Sequence, residues 1–278
     1  MKILTIGFLM LVAMSGQLNA DNHPTTDNKI ALNLDGIAEV LVKGFIAPIE
    51  YTQYGFHVEW DELANLQVAE SEKRYPTSVF RAFLPPTAVS VGDLWKIEEE
   101  EGVLELLRQL HPKPNLDIIM NAGDSYGLWA CLRAYNDKYA EIVFRIHAEF
   151  ILADGRFTPS QFTGHLVIDR IKEKVASFKM YVPEGVLNFD VGRNSTRTID
   201  VGFCPQIELR AEVREIAPDI EFAASITQEA AERKMVLRFY KSQQINWVSL
   251  EEALVMGPAQ QKPIHVISID GPLADEAC

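Results

Sequence analysis

From about residue 127 to residue 213 apolar side chains recur at every second position, and this restricts the chain more than any other feature. Ile142, Phe144, Ile146, Ala148 and Phe150 alternate against Val143, Arg145, His147 and Glu149. Leu166 and Ile168 alternate against His165, Val167 and Asp169, and Ala176, Phe178, Met180 and Val182 against Ser177, Lys179 and Tyr181. Successive side chains of a strand point to opposite faces, so a period of two denotes strands with one apolar face. Asp154-Gly155 is a turn signal, and 199–213 reads as a further strand. The expectation is an antiparallel sheet with one face in water.

The flanks differ. Ile37, Val40, Leu41 and Phe45 have mixed spacing that fits a short helix within 30–45, and 51–60 alternates aromatics like a strand. Val103, Leu104, Leu106, Leu107 and Leu110 have helical spacing, preceded by Glu98 to Glu101 and closed by His111-Pro112. Near the C-terminus Ser249 and Glu252 form a capping box for a short helix that Gly257-Pro258 is expected to end. With 244–248 before it and the apolar run 264–269 after it, this gives strand, helix, strand. The expected class is therefore α+β: an antiparallel β-rich domain over 30–235, then an incomplete thioredoxin-like β-α-β unit over 236–278.

A chain of 278 residues with 47% apolar content can build one large or two modest domains. Its formal charge of −13 argues against nucleic acid as a partner. Lys2, the apolar run 3–14 and Leu18-Asn19-Ala20 read as a signal peptide over 1–20, followed by a flexible leader over 21–29. The mature chain is then expected outside the cytoplasm, periplasmic or extracellular, with no membrane span after cleavage. An uncleaved N-terminal anchor is the other reading.

Three cysteines in an oxidising compartment leave at least one thiol unpaired or paired with a partner. Cys278 follows the apolar run 264–269 and a short loop, the way a thioredoxin-like fold presents a redox cysteine. Asp275, Glu276 and the terminal carboxylate oppose its thiolate, so a thiol alone is expected to work poorly there. If Val201, Phe203, Ile207 and Leu209 face the core, Cys204 is exposed. It then serves either as a resolving thiol for Cys278 or as an incidental edge-strand residue. Cys131, beside Trp129 and Leu132, reads as a buried apolar residue. His147 and Glu149 share a strand face and His165 stands on the next strand, residue types that would suit a metal. The same residues also fit a solvated face with cross-strand charge pairs involving Arg145 and Asp169, and no metal or other cofactor is assigned. Asn194-Ser195-Thr196 fits a glycosylation sequon. Nucleotide-binding and hydrolase fingerprints are not found.

Several blocks in order resemble the selenoprotein N family: Val91-Gly92-Asp93-Leu94-Trp95, Gly102 to Pro112, Val143 to Phe150, Phe157 to His165, Met180-Tyr181-Val182-Pro183, and Pro263-Ile264-His265-Val266 running into Asp275-Glu276-Ala277-Cys278. The resemblance implies a thioredoxin-like domain in which Cys278 is the redox cysteine and selenocysteine then glycine follow it. A selenocysteine codon doubles as a stop codon, so a chain ending at Cys278 is what misreading would leave. The implied function is a thiol/selenol-disulfide oxidoreductase acting on protein thiols or disulfides, with the 278-residue form inactive alone. The alternative is a non-catalytic exported β-rich protein that binds a partner. Animal members are endoplasmic-reticulum membrane proteins linked to calcium, some with an EF-hand. This chain has no such loop, so calcium sensing is not carried over.

Overall fold

Two antiparallel sheets share one core, and a single long hairpin belongs to both. The computed structural model describes residues 29–35, 37–117, 127–185, 187–212, 220–239 and 248–266. In chain order the elements are β1 (Glu39–Ile46), β2 (Tyr51–Thr52), α1 (Phe56–Glu59), α2 (Asp61–Ala64), β3 (Glu72–Pro76), a 3₁₀ segment (Thr77–Phe83), β4 (Leu94–Lys96), α3 (Glu100–Leu110) and β5 (Pro114–Asn115). There follow β6 (Leu128–Tyr135), β7 (Tyr139–Ile146), β8 (Glu149–Leu152), β9 (Gly155–Pro159), β10 (Phe162–Asp169), β11 (Lys174–Tyr181), β12 (Phe189–Arg193), β13 (Thr198–Phe203), β14 (Ile207–Glu212) and β15 (Ala224–Ser225). Helices α4 (Gln228–Phe239) and α5 (Leu250–Gln260) come last. The mixture of antiparallel sheets and a few helices is α+β.

The larger sheet runs β15-β6-β7-β10-β11-β14-β1-β3, with β4 also on β6, and the smaller runs β2-β13-β12-β9-β8-β5. The hairpin turns at Ala153-Asp154. Its arms pair as β7 with β10 in the larger sheet, ending at Ile146 opposite Phe162. They pair again as β8 with β9 in the smaller sheet, from Phe150 opposite Phe157. Between these pairs three residues (147–149) face four (158–161), an irregularity that bends the strands through a corner.

Aromatic rings fill the core on both sides of that corner. Phe83 meets Phe144 at 4.2 Å and Phe80 meets Phe178 at 5.0 Å under the larger sheet, and Phe157 meets Phe189 at 4.8 Å under the smaller. Gly164 is the space into which Phe144 packs, since a Cβ there would lie 2.0 Å from its ring. Helix α3 closes the core with Val103, Leu106, Leu107 and Leu110, all buried, and stops at His111 as its sequence implies.

Several expectations are corrected. The helix expected within 30–45 is strand β1: Val40, Val42 and Gly44 are buried, Glu39, Leu41 and Lys43 exposed, and Ile37 is wholly exposed. The strand expected over 51–60 is only β2. Gly55, at φ 84, then turns the chain into α1 and α2. The larger sheet has no wet face over β6 and β7, because α4 covers it, packing Ala231 and Met235 on Cys131 and Val143. Helix α4 runs through residue 235, so the boundary drawn between 235 and 236 falls inside an element seated on the sheet. Helix α5 has its capping box but continues through Pro258 to Gln260 and ends at Gln261, whose φ of 53 is left-handed. Residues 262–266 after it have no regular structure. The expected signal peptide over 1–20, nearly all of the leader, the strand over 244–248 except Val248, and 267–278 with Cys278 lie outside the described residues. No helix among the described residues is long and apolar enough to cross a membrane.

Candidate functional site

At the hairpin corner a line of polar side chains is buried. Arg145, His147 and Glu149 lie on one arm, and Thr158, Ser160, Gln161 and Thr163 on the other. A buried polar group is tolerated when it is hydrogen-bonded, and the corner supplies partners. Arg145 Nε donates to Gln161 Oε1 at 2.8 Å. The His147 amide donates to the Gly127 carbonyl at 2.9 Å, and a Cβ at Gly127 would stand 2.8 Å from that of His147, so the backbones approach as only glycine permits. Burial, with Arg145 nearby, lowers the His147 pKa to about 4, and its ring is neutral at physiological pH. Asn115 Nδ2 donates to Glu149 Oε1 at 2.5 Å, and Arg156 Nε lies 3.9 Å from the other oxygen.

Asp190 extends this line into the smaller sheet, where it lies opposite Thr158 in register. Burial raises its carboxyl to about 7 despite Arg156 and a hydrogen bond from Thr158, both of which favour the anion, and Glu149 adds to the rise. A buried carboxyl poised near neutrality beside a guanidinium can hold or release a proton under physiological conditions. Sequence reasoning missed Asp190, and equally Glu141, Arg133 and Gln161. An acid at an outward strand position reads as solvated, and nothing local announces the layer that covers it.

The residues considered for a metal do not come together. His165 pairs with Val143, four residues before His147 along β7, which puts the two about 13 Å apart along the strand. His165 Nδ1 instead contacts Glu141 Oε1 at 2.8 Å, and Arg133 takes the other oxygen of Glu141. These two partners hold Glu141 below the usual carboxylate range, against the burial that opposes them. Glu149 is turned to Asn115 and Arg156. Among the described residues no group of three or more His, Cys, Asp or Glu side chains is arranged to hold a metal ion.

The cysteines separate sharply. Cys204 is fully buried, not exposed. Along β13 Asp200 and Gly202 are buried while Val201 and Phe203 are only half-buried, and Cys204 continues that inward phase. The phase of Ile207 and Leu209 starts afresh after Pro205-Gln206, and the thiol turns inward to the carbonyls of Ala47 and Gln206. Burial pushes that thiol up to about 11. Cys131 is buried under α4 and pushed to about 11 for the same reason. A thiol held above its usual pKa and shielded from solvent carries little thiolate, so Cys204 lacks the exposure expected of a resolving thiol.

No protein-family model matches the chain, and no solved structure does. The chain is similar to selenoprotein N of Danio rerio, 29% identical over 271 residues that cover 76% of this chain and 48% of the relative. It is also similar to selenoprotein N of Mus musculus, 26% identical over 72% of this chain and 46% of the relative, and of Homo sapiens, 26% over 73% and 44%. The chain thus spans about half the length of the curated relatives it matches. Two of the stretches that carry the resemblance, 143–150 and 157–165, are the two arms of the hairpin corner. Similarity to three selenoproteins N across about three quarters of its length supports a selenoprotein N-like family for this chain.

Proposed function

We propose that the chain belongs to a thiol/selenol-disulfide oxidoreductase acting on protein disulfides outside the cytoplasm, with Cys278 as the redox cysteine. The observation that carries this reading is the burial of the other two thiols. Cys131 and Cys204 are buried and pushed up to about 11, which supports assigning thiol exchange to Cys278. The family similarity supports it. A selenol, which the resemblance implies beside Cys278, supplies a nucleophile ionised at neutral pH. Cys278, preceded by Asp275 and Glu276, supplies the resolving thiol. The selenolate attacks the substrate disulfide and releases one thiol, and Cys278 then attacks the selenium of the mixed Se–S intermediate, forming an S–Se bond as the second substrate thiol leaves. Two electrons and two protons pass from the reduced pair to the substrate, whose S–S bond breaks to two thiols. An external dithiol reductant restores the pair.

The test is dithiol-driven reduction of a protein disulfide by the form carrying selenocysteine after Cys278, beside its Cys278→Ser variant. Turnover is expected in the first and lost in the second. Equal rates would remove the role given to Cys278. The second reading, a non-catalytic β-rich protein that binds a partner, is favoured by a row of basic residues on the larger sheet.

A further inference from the structure

One register row of the larger sheet crosses seven strands. From β6 outward its paired residues are Cys131, Val143, His165, Lys179, Arg210, Lys43 and Glu72. Their chain neighbours Leu132, Ile142, Leu166, Phe178, Leu209 and Val42 are in the core, so the row lies on the outer face. The first two members are apolar and sit beneath Ala231 and Met235 of α4. Beyond β7 the row turns basic, with His165 half-buried and Lys179, Arg210 and Lys43 exposed.

Side chains directly opposite on antiparallel strands are about 4.5–5.5 Å apart at Cβ, and like charges there repel. Arg210 has a lysine on each side, in a chain with 39 acids and only 26 bases. Carboxylates offset part of the cost: Lys43 pairs with Glu72 at 3.5 Å, Arg210 with Glu208 at 3.6 Å, and His165 with Glu141 at 2.8 Å. Lys179 has no carboxylate partner among the described residues. Its ammonium lies over the Tyr181 ring at 4.3 Å, and the Arg210 guanidinium lies over Phe45 at 4.9 Å. The two central cations are thus steadied against aromatic faces rather than neutralised.

We propose that the row from His165 to Lys43 docks an acidic segment of a partner protein that lays carboxylates across the strands. Three inter-strand steps make the basic stretch about 14 Å long. It is one residue wide, with Glu141 and Glu208 beside it and Glu72 at its end. A bilayer or a nucleic acid presents continuous negative charge, which would also lie over those acids and would face a chain of net charge −13. A peptide can set carboxylates over the cations and neutral side chains over the flanking acids. This docking site stands independently of the redox reading.

The test is fluorescence anisotropy of a labelled peptide of about ten alternating Glu and Ser residues, which puts its carboxylates on one face when extended, titrated with the full chain. Binding at low salt is expected to weaken about tenfold or more in the Lys179→Glu, Arg210→Glu double variant, and on raising salt to about 0.3 M. The Lys179→Gln, Arg210→Gln pair is expected to fall between. Both positions are exposed, so circular dichroism and melting of the variants are expected to match the wild type. Absence of wild-type binding up to about 1 mM, a weak affinity for any specific site, would overturn the proposal. So would equal binding by all three proteins, or stronger capture of phosphatidylserine vesicles or a single-stranded oligonucleotide than of the peptide.

Discussion

Arg145 and Gln161 join across the corner at which the long hairpin leaves one sheet for the other, with Arg145 Nε donating to Gln161 Oε1 at 2.8 Å. Both are buried, so this bond ties the two arms where their regular pairing lapses.

Gln161→Met keeps the side-chain volume and removes the acceptor, taking from a buried guanidinium one of its partners. A hydrogen bond to a charged group contributes about 1.5–3 kcal/mol, and a loss of that size is expected in urea unfolding. Gln161→Glu keeps an acceptor and is expected to recover most of it. A Gln161→Met midpoint equal to wild type would show that the corner does not depend on this bond.

Two glycines on adjacent parts of the fold test the packing. Gly164→Ala forces a methyl to within 2.0 Å of the Phe144 ring, and overpacking of this kind costs about 1–3 kcal/mol or more. At Gly192 a new Cβ meets nothing nearer than 3.6 Å, on the flexible Arg156 side chain. Thermal melts are expected to fall clearly for Gly164→Ala and little for Gly192→Ala. The reverse order would contradict the placement of Phe144.

The hairpins were legible in the sequence because one face of each strand is continuously apolar: Ile142, Phe144 and Ile146 against Leu166 and Ile168. Strand β1 was misread because Ile37, Val40, Leu41 and Phe45 sit at spacings of three and four. Ile37 is wholly exposed, and the true signal was the alternation of Val40, Val42 and Gly44. The candidate site was half legible. Its residue types drew notice, but Arg145, His147 and Glu149 read as a wet face. Burial at the same face of β6 and β7 comes partly from α4, some ninety residues on, which local periodicity does not register. Cys204 failed for a local reason, since Pro205 interrupts the strand phase beside it.

The buried thiols set a labelling pattern. With thiol pKa values near 11, Cys131 and Cys204 carry little thiolate at neutral pH and are closed to solvent. The Cys278→Ser protein is therefore expected to resist a water-soluble thiol reagent until denaturant is added, and then to release two thiols per chain. Met235→Ala opens the α4 contact over Cys131 and is expected to speed labelling of that residue while leaving Cys204 slow. Fast reaction of Cys204 in the native Cys278→Ser protein would restore it as a resolving thiol.

His147 and Asp190 work against each other as pH changes. Asp190 is raised from 3.8 to about 7, so between those values the native state keeps a proton the unfolded chain has lost. Its contribution to stability is full below about pH 4 and is lost as pH rises through 7. His147 is lowered from 6.5 to about 4, so there the unfolded chain holds a proton the native state does not. Its contribution is full above 6.5 and is lost as pH falls through 4. Over pH 4–6.5 the two slopes have opposite signs and largely cancel. Asp190→Asn keeps the shape of the protonated carboxyl and cannot ionise, so it unmasks His147. Relative to wild type, its unfolding free energy is expected to climb with pH across that window by at most about 1.4 kcal/mol per unit, then to level off above 7. Urea unfolding of both proteins from about pH 4.5 to about pH 7.5 measures this, because the remaining groups cancel in the difference. Parallel profiles for the two proteins would mean that Asp190 is ionised throughout and that the corner holds no proton near neutrality.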